Sequence, residues 1–390
     1  MVDAVLSIPT AEDLMARART ETSLSDFGRP TFRAGLDKLL QVLHEEQHRF
    51  SQEGVAAATG QFVDRLRCRL LIEDWYARHP EIEDVQPERP VMITGMPRTG
   101  TTALAKALSL EPSFRLLRSW EQHPPVPPPV LETEAGDPRR LAMIAQLERR
   151  LKDQPELIAM HLHDVDTTEE DVSLLWLEFR AQAFTLPLFG YHAWWREGDM
   201  KAAYAYQRRV VKLLQSRRPP SRWLFKAPHY SFHLDDVDTA YPDAKFLITH
   251  RDPAKVLASY ASFVSRLQPP GSSERFVPEE FGPHLAAHMA RGMERMIAAR
   301  AKLGEHRFFD VQHTEFVADP IGVLERIYAF IELPLTAETR TKMLEWAERN
   351  KPGTHGRHVY DGADHGIDHG TIRKQFAFYT DHYSIPLESG

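Results

Sequence analysis

The chain is nearly devoid of cysteine: Cys68 stands alone among 390 residues. An intramolecular disulfide is therefore excluded, and the composition points to a reducing compartment, the cytoplasm. Also missing is any apolar run near the roughly 18 residues a bilayer-spanning helix needs. The first thirty residues are interrupted by Asp3, Glu12, Asp13, Glu21 and Asp26, so no secretory leader is expected there. Positive charge is not in excess. With 48 Lys and Arg against 55 Asp and Glu the net charge is −7, and a pI near 6.3 excludes a broad basic face for nucleic acid. Local positive charge around a small anion is still allowed. No internal repeat occurs, which excludes a solenoid.

What is present is ordinary globular composition, 42% hydrophobic and 26% charged, in a chain long enough to bury a sizeable core. Residues 1–88 read as helical. Phe32, Leu36, Leu39, Leu40, Leu43 and Phe50 recur at helical spacing, and Val63, Leu66, Leu70, Leu71 and Trp75 form a second stripe. Short apolar runs then follow at 91–94, 114–117, 222–225, 245–249 and 307–311, each bounded by Pro, Gly or charge. Most lead into a helical pattern. This alternation predicts an α/β fold: a P-loop-like parallel sheet of about five strands with helices on both faces. The expected organisation is a helical N-terminal addition over 1–88 and a main α/β body over 89–390. That body carries a helical insert at about 121–220, not a second domain. Prolines 124, 125 and 127–129 predict an extended connection. Thr167-Thr168-Glu169-Glu170 predicts a capping box, with Thr167 as cap and Glu170 three residues on. The aromatics Phe184, Phe189, Tyr191, Trp194 and Trp195 fit either core or an acceptor-side lid.

The strongest local signal is Gly95-Met96-Pro97-Arg98-Thr99-Gly100-Thr101-Thr102, between a predicted strand and a predicted helix. Glycines here allow a tight turn whose N–H groups face an anion, and the helix N-terminus adds its dipole. The spacing is that of a nucleotide-triphosphate loop, G-x-x-x-x-G-K-[ST], except that Thr101 stands in the lysine's place. Losing that lysine argues against ATP or GTP chemistry, while the loop still wants a phosphate. Arg98 supplies positive charge from another direction.

A second strand runs into His250-Arg251-Asp252-Pro253, with Asp252 placed to cap a helix and Pro253 at its first position. Lys255, Ser259 and Ser262 share one face of that helix; Val256, Tyr260, Phe263 and Leu267 are expected on its buried face. Arg251 and Ser259 both reach a phosphate lying beside the helix. His250-Arg251-Asp252 also matches a kinase catalytic loop, but Leu257 stands where the magnesium-binding asparagine belongs.

Together, Pro97-Arg98-Thr99-Gly100-Thr101-Thr102 and Arg251-Asp252-Pro253-x-x-Val256-x-x-Ser259 resemble the sulfotransferase superfamily. The similarity is to its bacterial branch, which shares loop features with tyrosylprotein sulfotransferases. The resemblance runs from about residue 30 to the end. It includes Ser119-Trp120-Glu121, Trp223-Leu224-Phe225-Lys226-Ala227-Pro228, and the tail from His358-Val359-Tyr360 to Phe376 and Tyr379. It implies 3′-phosphoadenosine 5′-phosphosulfate (PAPS) as donor, 3′-phosphoadenosine 5′-phosphate (PAP) as product, a small, partly apolar hydroxylated acceptor, and no metal. By the same resemblance Arg98, Thr99, Gly100, Thr101 and Thr102 hold the 5′-phosphosulfate, and Arg251 and Ser259 hold the 3′-phosphate.

Sulfuryl transfer needs a proton acceptor and a cation at the leaving oxygen. Arg98 and Lys226 are the cations near the strand ends. Glu121, just after the second strand, is the preferred base. His229 is its competitor, although Lys226-Ala227-Pro228-His229 departs from the Lys-x-His spacing of other sulfotransferases. The rival functions are a P-loop phosphoryl-transfer enzyme (a kinase) and a non-catalytic nucleotide-binding protein. His44-Glu45-Glu46-Gln47-His48 matches H-E-x-x-H but lacks an assigned third zinc ligand. His161-Leu162-His163-Asp164-Val165-Asp166 reads as a polar helix entrance. Gly353, Gly356 and Gly362 around Arg357, His358 and Tyr360 fit either a polar loop or a flap over the donor.

Overall fold

The computed structural model describes residues 6–153, 165–181, 186, 188–266, 277–351 and 361–388. Five strands appear among them, and they fall where the apolar runs place them: β1 Val91–Gly95, β2 Phe114–Leu116, β3 Arg222–Lys226, β4 Lys245–His250 and β5 Phe308–Gln312. Their order is β2-β3-β1-β4-β5 and every pairing is parallel. β1 lies centrally, with Ile93 level with Lys226 of β3 and Gly95 level with Thr249 of β4. The carboxyl ends of β3, β1 and β4 therefore meet on one edge, the position at which parallel sheets bind ligands.

Side-chain alternation explains why these strands read as continuous apolar runs. Met92, Phe225, Phe246 and Ile248 point to one face and join the helices Phe32–Glu45, Gln52–Arg78, Lys201–Gln215 and Pro278–Leu303 in a single apolar cluster. Val91, Ile93, Leu224 and Leu247 point to the other, where the helices Thr101–Leu108 and Pro320–Phe330 cover them. The N-terminal stripes, including Leu36, Leu39, Leu43 and Leu66, are fully buried in the first cluster. The first helix, Ala11–Thr22, begins at a capping box between Thr10 and Asp13.

The 121–220 stretch contains the helices Pro138–Asp153, Val172–Leu175, Phe189–Glu197 and Lys201–Gln215. Its proline run is not helical. The expected capping box at Thr167 does not form as such: the next helix begins only at Val172, and its cap, Asp171, makes no side-chain capping bond. The reason is a competing long-range tie. Thr168 Oγ1 donates to the Leu224 carbonyl at 3.2 Å and the Glu169 N–H to the Leu117 carbonyl at 2.7 Å. This ties the chain to the middle of β3 and to the residue that follows β2. Tyr191 and Trp195 are core residues with no exposed surface; Phe189 and Trp194 pack beside them, and Phe184 lies outside the described residues. No helix among the described residues is long and apolar enough to cross a membrane.

Candidate active site

The phosphate-type loop occupies 96–100 between β1 and the Thr101–Leu108 helix. Gly95 has φ +134°, and a Cβ there would lie 2.4 Å from the Thr249 carbonyl oxygen, so only glycine lets β1 and β4 end this close together. Gly100 caps the helix at φ +96°, and the helix's first N–H groups lack intrahelical acceptors. Arg98 is itself left-handed, φ +66°, a conformation costing a non-glycine residue roughly 1–2 kcal/mol. Such strain is typical of ligand-holding turns. The hydroxyl of Thr99 is used to fasten the loop: it donates to the Met96 carbonyl at 2.6 Å and meets Thr249 Oγ1 at 2.5 Å. Thr101 is buried and Thr102 half-buried. The His313 ring, at the end of β5, lies against Gly100; burial and Arg251 hold it down to about 4.

Arg98, Arg251 and Ser259 come together across more than 150 residues of sequence. Arg98 Nε donates to Ser259 Oγ at 3.1 Å, and Arg251 Nη1 donates to the Arg98 carbonyl at 3.2 Å. Asp252 caps the Pro253–Arg266 helix through the Ala254 N–H. The faces of that helix differ from expectation. Ser259 and Ser262 are buried, while Tyr260 and Phe263 are half-buried, because Ser259 turns inward beneath the loop arginine. The Arg98 guanidinium lies 5.5 Å from the Phe263 ring centre. Leu267 is outside the described residues.

Arg251 already grips an anionic group of this chain. Glu388 takes its Nε at 2.7 Å and Nη2 at 2.9 Å, a bidentate carboxylate–guanidinium pair. Asp252 accepts the Glu388 N–H at 3.0 Å, and Arg373 donates to the Glu388 carbonyl at 2.6 Å. The sequence offers no local signal for this contact.

Lys226 ends β3 and is 1% exposed, with its Nζ 3.0 Å from Glu170 and 3.8 Å from Glu169. Burial pulls its ammonium down, but Glu170 and Glu169 outweigh burial and hold the pKa above the ordinary lysine value. Tyr260 is raised by burial first and by the Glu170 carboxylate second, with Arg98 opposing. Glu170 and Arg98 thus act on the same phenol.

Glu121 ends the short turn Ser119–Glu121 that follows the edge strand β2. It is fully buried, and both oxygens are engaged: by Arg115 at 2.9 and 2.6 Å, by the Arg118 N–H at 2.9 Å and by Arg118 Nη2 at 3.2 Å. Burial pushes its carboxyl up, and the two arginines together pull it below the ordinary glutamate value. His229 is also buried. Burial, His233 and Lys226 bring it down to about 3, and its Nε2 stands 3.5 Å from Asp171 Oδ1. Asp171 accepts from Tyr230 and Gln207, and burial raises its carboxyl to about 7. His250 is a core residue between Tyr379 and Asp310, 2.8 Å from each.

Of the other histidine motifs, His44 lies in a helix ending at Glu45 and His48 in a separate short turn, so they share no continuous helix face. Asp166 pairs with Arg140; His161, His163 and Asp164 lie outside the described residues, as do Gly353, Gly356, Arg357, His358 and Tyr360. Among the described residues no group of three or more His, Cys, Asp or Glu is arranged around a metal position.

A family model described as the sulfotransferase family matches residues 90–337, which contain the loop, Lys226, Arg251 and Ser259. The chain belongs to the sulfotransferase family. Solved structures agree. The crystal structure of sulfotransferase STF9 from Mycobacterium avium is similar over 100% of both chains, with 29% identity and a TM-score of 0.86. Sulfotransferase STF1 from Mycobacterium tuberculosis H37Rv, also 29% identical, is covered over 99% of its length by 95% of this chain, with a TM-score of 0.84. No curated protein matches the chain in sequence. The α/β fold, the all-parallel five-stranded sheet and the bacterial sulfotransferase likeness are thereby established.

Proposed function

We propose that this sulfotransferase takes PAPS as its donor and transfers the sulfuryl group to a hydroxyl of a small, partly apolar acceptor by in-line displacement. The observation that carries the reading is the meeting of Arg98, Ser259 and Arg251 at the ends of β1 and β4, one strand away from the buried ammonium of Lys226. Two anion cradles so placed suit the two ends of a bisphosphorylated adenosine. Arg251 is proposed to hold the 3′-phosphate with Ser259, and the bidentate carboxylate of Glu388 supports this by occupying the same guanidinium face. The loop N–H groups of Thr99, Gly100, Thr101 and Thr102 are proposed to receive the 5′-phosphosulfate, with Arg98 beside them.

In this reading the leaving oxygen gains negative charge as the sulfur–oxygen bond breaks, and Lys226 and Arg98 stabilise it from fixed positions. Tyr260 and Phe263, half-buried beside Arg98, supply an apolar wall for the acceptor. The main α/β body with its N-terminal helical addition is proposed to act in the cytoplasm, in keeping with a single buried cysteine. The test is calorimetry with PAP, followed by incubation with labelled PAPS and a metabolite extract. Micromolar PAP binding and a labelled sulfated product are expected. A protein that ignores PAP would overturn the reading.

A further inference from the structure

We infer that Glu170 accepts the acceptor's proton, and that it does so by exchanging its partner, Lys226, with the donor. The inference rests on the sulfuryl-transfer reading and assigns the base within it. The position of Glu170 is fixed by ties to the sheet: Thr168 Oγ1 to the Leu224 carbonyl within β3 and the Glu169 N–H to the Leu117 carbonyl just after β2. From there the Glu170 carboxylate reaches Lys226 Nζ at 3.0 Å. Its side chain is 35% exposed, while that of Lys226 is 1% exposed. A part-exposed carboxylate is thus paired with a closed ammonium.

The two other bases considered in the sequence are enclosed. Glu121 has both oxygens occupied by Arg115 and Arg118 and no exposed surface. His229 is buried and faces Asp171. Among the described residues, Glu170 pairs with Lys226, a lysine it shares with Glu169, and its charge acts on Asp171 and Tyr260.

In-line transfer sets the entering and leaving oxygens on opposite sides of sulfur, with reacting atoms about 3–3.5 Å apart before attack. A carboxylate one hydrogen bond from the ammonium that meets the leaving oxygen is within reach of the entering hydroxyl. When Lys226 turns to the donor's anionic oxygen, Glu170 gives up its cation, and a carboxylate that loses a cationic partner becomes a better proton acceptor. The acceptor oxygen then bonds to sulfur, the bond from sulfur to the 5′-phosphate oxygen breaks with its electron pair, and the acceptor's proton passes to Glu170. Solvent later takes that proton. The products are a sulfate ester and PAP.

The test needs no knowledge of the acceptor. PAP binding to the full chain is measured by calorimetry in buffers of different ionisation enthalpy, at mildly acidic pH, for wild type, E170Q, E170D, E169Q and E121Q. PAP presents the oxygen that Lys226 leaves Glu170 to meet, so wild-type binding should draw up a fraction of a proton, to a limit of about one. E170Q should lose that uptake while still binding PAP; E170D, E169Q and E121Q should keep it. Turnover of labelled PAPS with the extract should fall about 10²- to 10⁴-fold in E170Q. Unchanged proton uptake in E170Q, or its loss in E121Q instead, would overturn the assignment and leave the donor reading standing. Failure of wild type to bind PAP would overturn both.

Discussion

Glu121 and Glu170 are both acidic residues beside a cation at the carboxyl ends of neighbouring strands, and what encloses them makes them different. Glu121 has no exposed surface and shares two arginines, Arg115 and Arg118, through four hydrogen bonds. Every lone pair it could offer is committed. The Glu170 carboxylate meets Lys226 Nζ at 3.0 Å, and about a third of its side chain is exposed. A closed ion pair with saturated hydrogen bonding is a fixture of the fold, because removing one member strands the other without water. A half-open pair tolerates the loss of a partner and can exchange it for a ligand.

The largest effect separates the two pairs most clearly. Glu121→Gln should cost about 3–5 kcal/mol of stability by leaving Arg115 buried and undercompensated, read as a lower urea midpoint at unchanged slope. Glu170→Gln should cost far less, since its carboxylate already meets solvent. If the two variants lost equal stability, the distinction between closed and open pairs would fail. Next comes Lys226→Met. Loss of one fixed charge stabiliser lowers turnover by about 10²- to 10³-fold, measured as sulfated product per enzyme, while the fold persists because Glu170 can hydrate. Arg251→Ala should weaken PAP binding by about thirtyfold, near 2 kcal/mol, by removing the partner proposed for the 3′-phosphate. Calorimetry decides it.

Asp171 and His229, both buried and 3.5 Å apart, respond oppositely to pH. Asp171 is raised to about 7 by burial, so the native state keeps a proton that the unfolded chain releases. Its contribution is complete below about pH 4 and is lost as pH rises through 7. His229 is lowered to about 3, chiefly by burial, so its contribution is complete above its unfolded value near 6.5 and is lost as pH falls toward 3. Over the shared window the slopes oppose each other. Asp171→Asn should leave stability rising with pH there, and His229→Gln should leave it falling, each by at most about 1.4 kcal/mol per pH unit. Urea titrations across that window test the signs.

The contrast also marks what the sequence could show. Strands β1 to β5 were legible because a strand buried on both faces is a short apolar run between breakers, a purely local pattern. That the two motifs lie on neighbouring strand tips of one parallel sheet was legible; the direct bond of Arg98 to Ser259, 161 residues on, was not. Nor was Glu170. Thr-x-x-Glu is a local capping pattern, and it lost to ties with Leu117 and Leu224 that only the assembled sheet provides. Arg115 and Arg118 gave no sign of meeting Glu121, since the short turn Ser119–Glu121 that folds the carboxylate back on them carries no distinctive residue type. On the Pro253–Arg266 helix, polarity misled: Ser259 and Ser262 are buried, Ser259 against Arg98, while Tyr260 and Phe263 are only half-buried.

The smallest predicted effect concerns the other end of the site. Glu388 holds Arg251 with the same two-pronged geometry that a phosphate would use, and its backbone is fastened on both sides, to Asp252 and Arg373. Donor binding in the proposed mode must displace that carboxylate, so the tail competes with the 3′-phosphate. Glu388→Gln removes the competing charge while leaving the backbone ties in place. Arg251 and Glu388 are each about a fifth exposed, and pairs this accessible contribute up to about 1 kcal/mol. PAP affinity should therefore rise by no more than about fivefold, with the gain shrinking at high salt. Arg251→Ala in the same background should erase the gain, because the competition exists only at that guanidinium. A Glu388→Gln variant that bound PAP more weakly would mean that the carboxylate orients Arg251 for the donor instead of covering it.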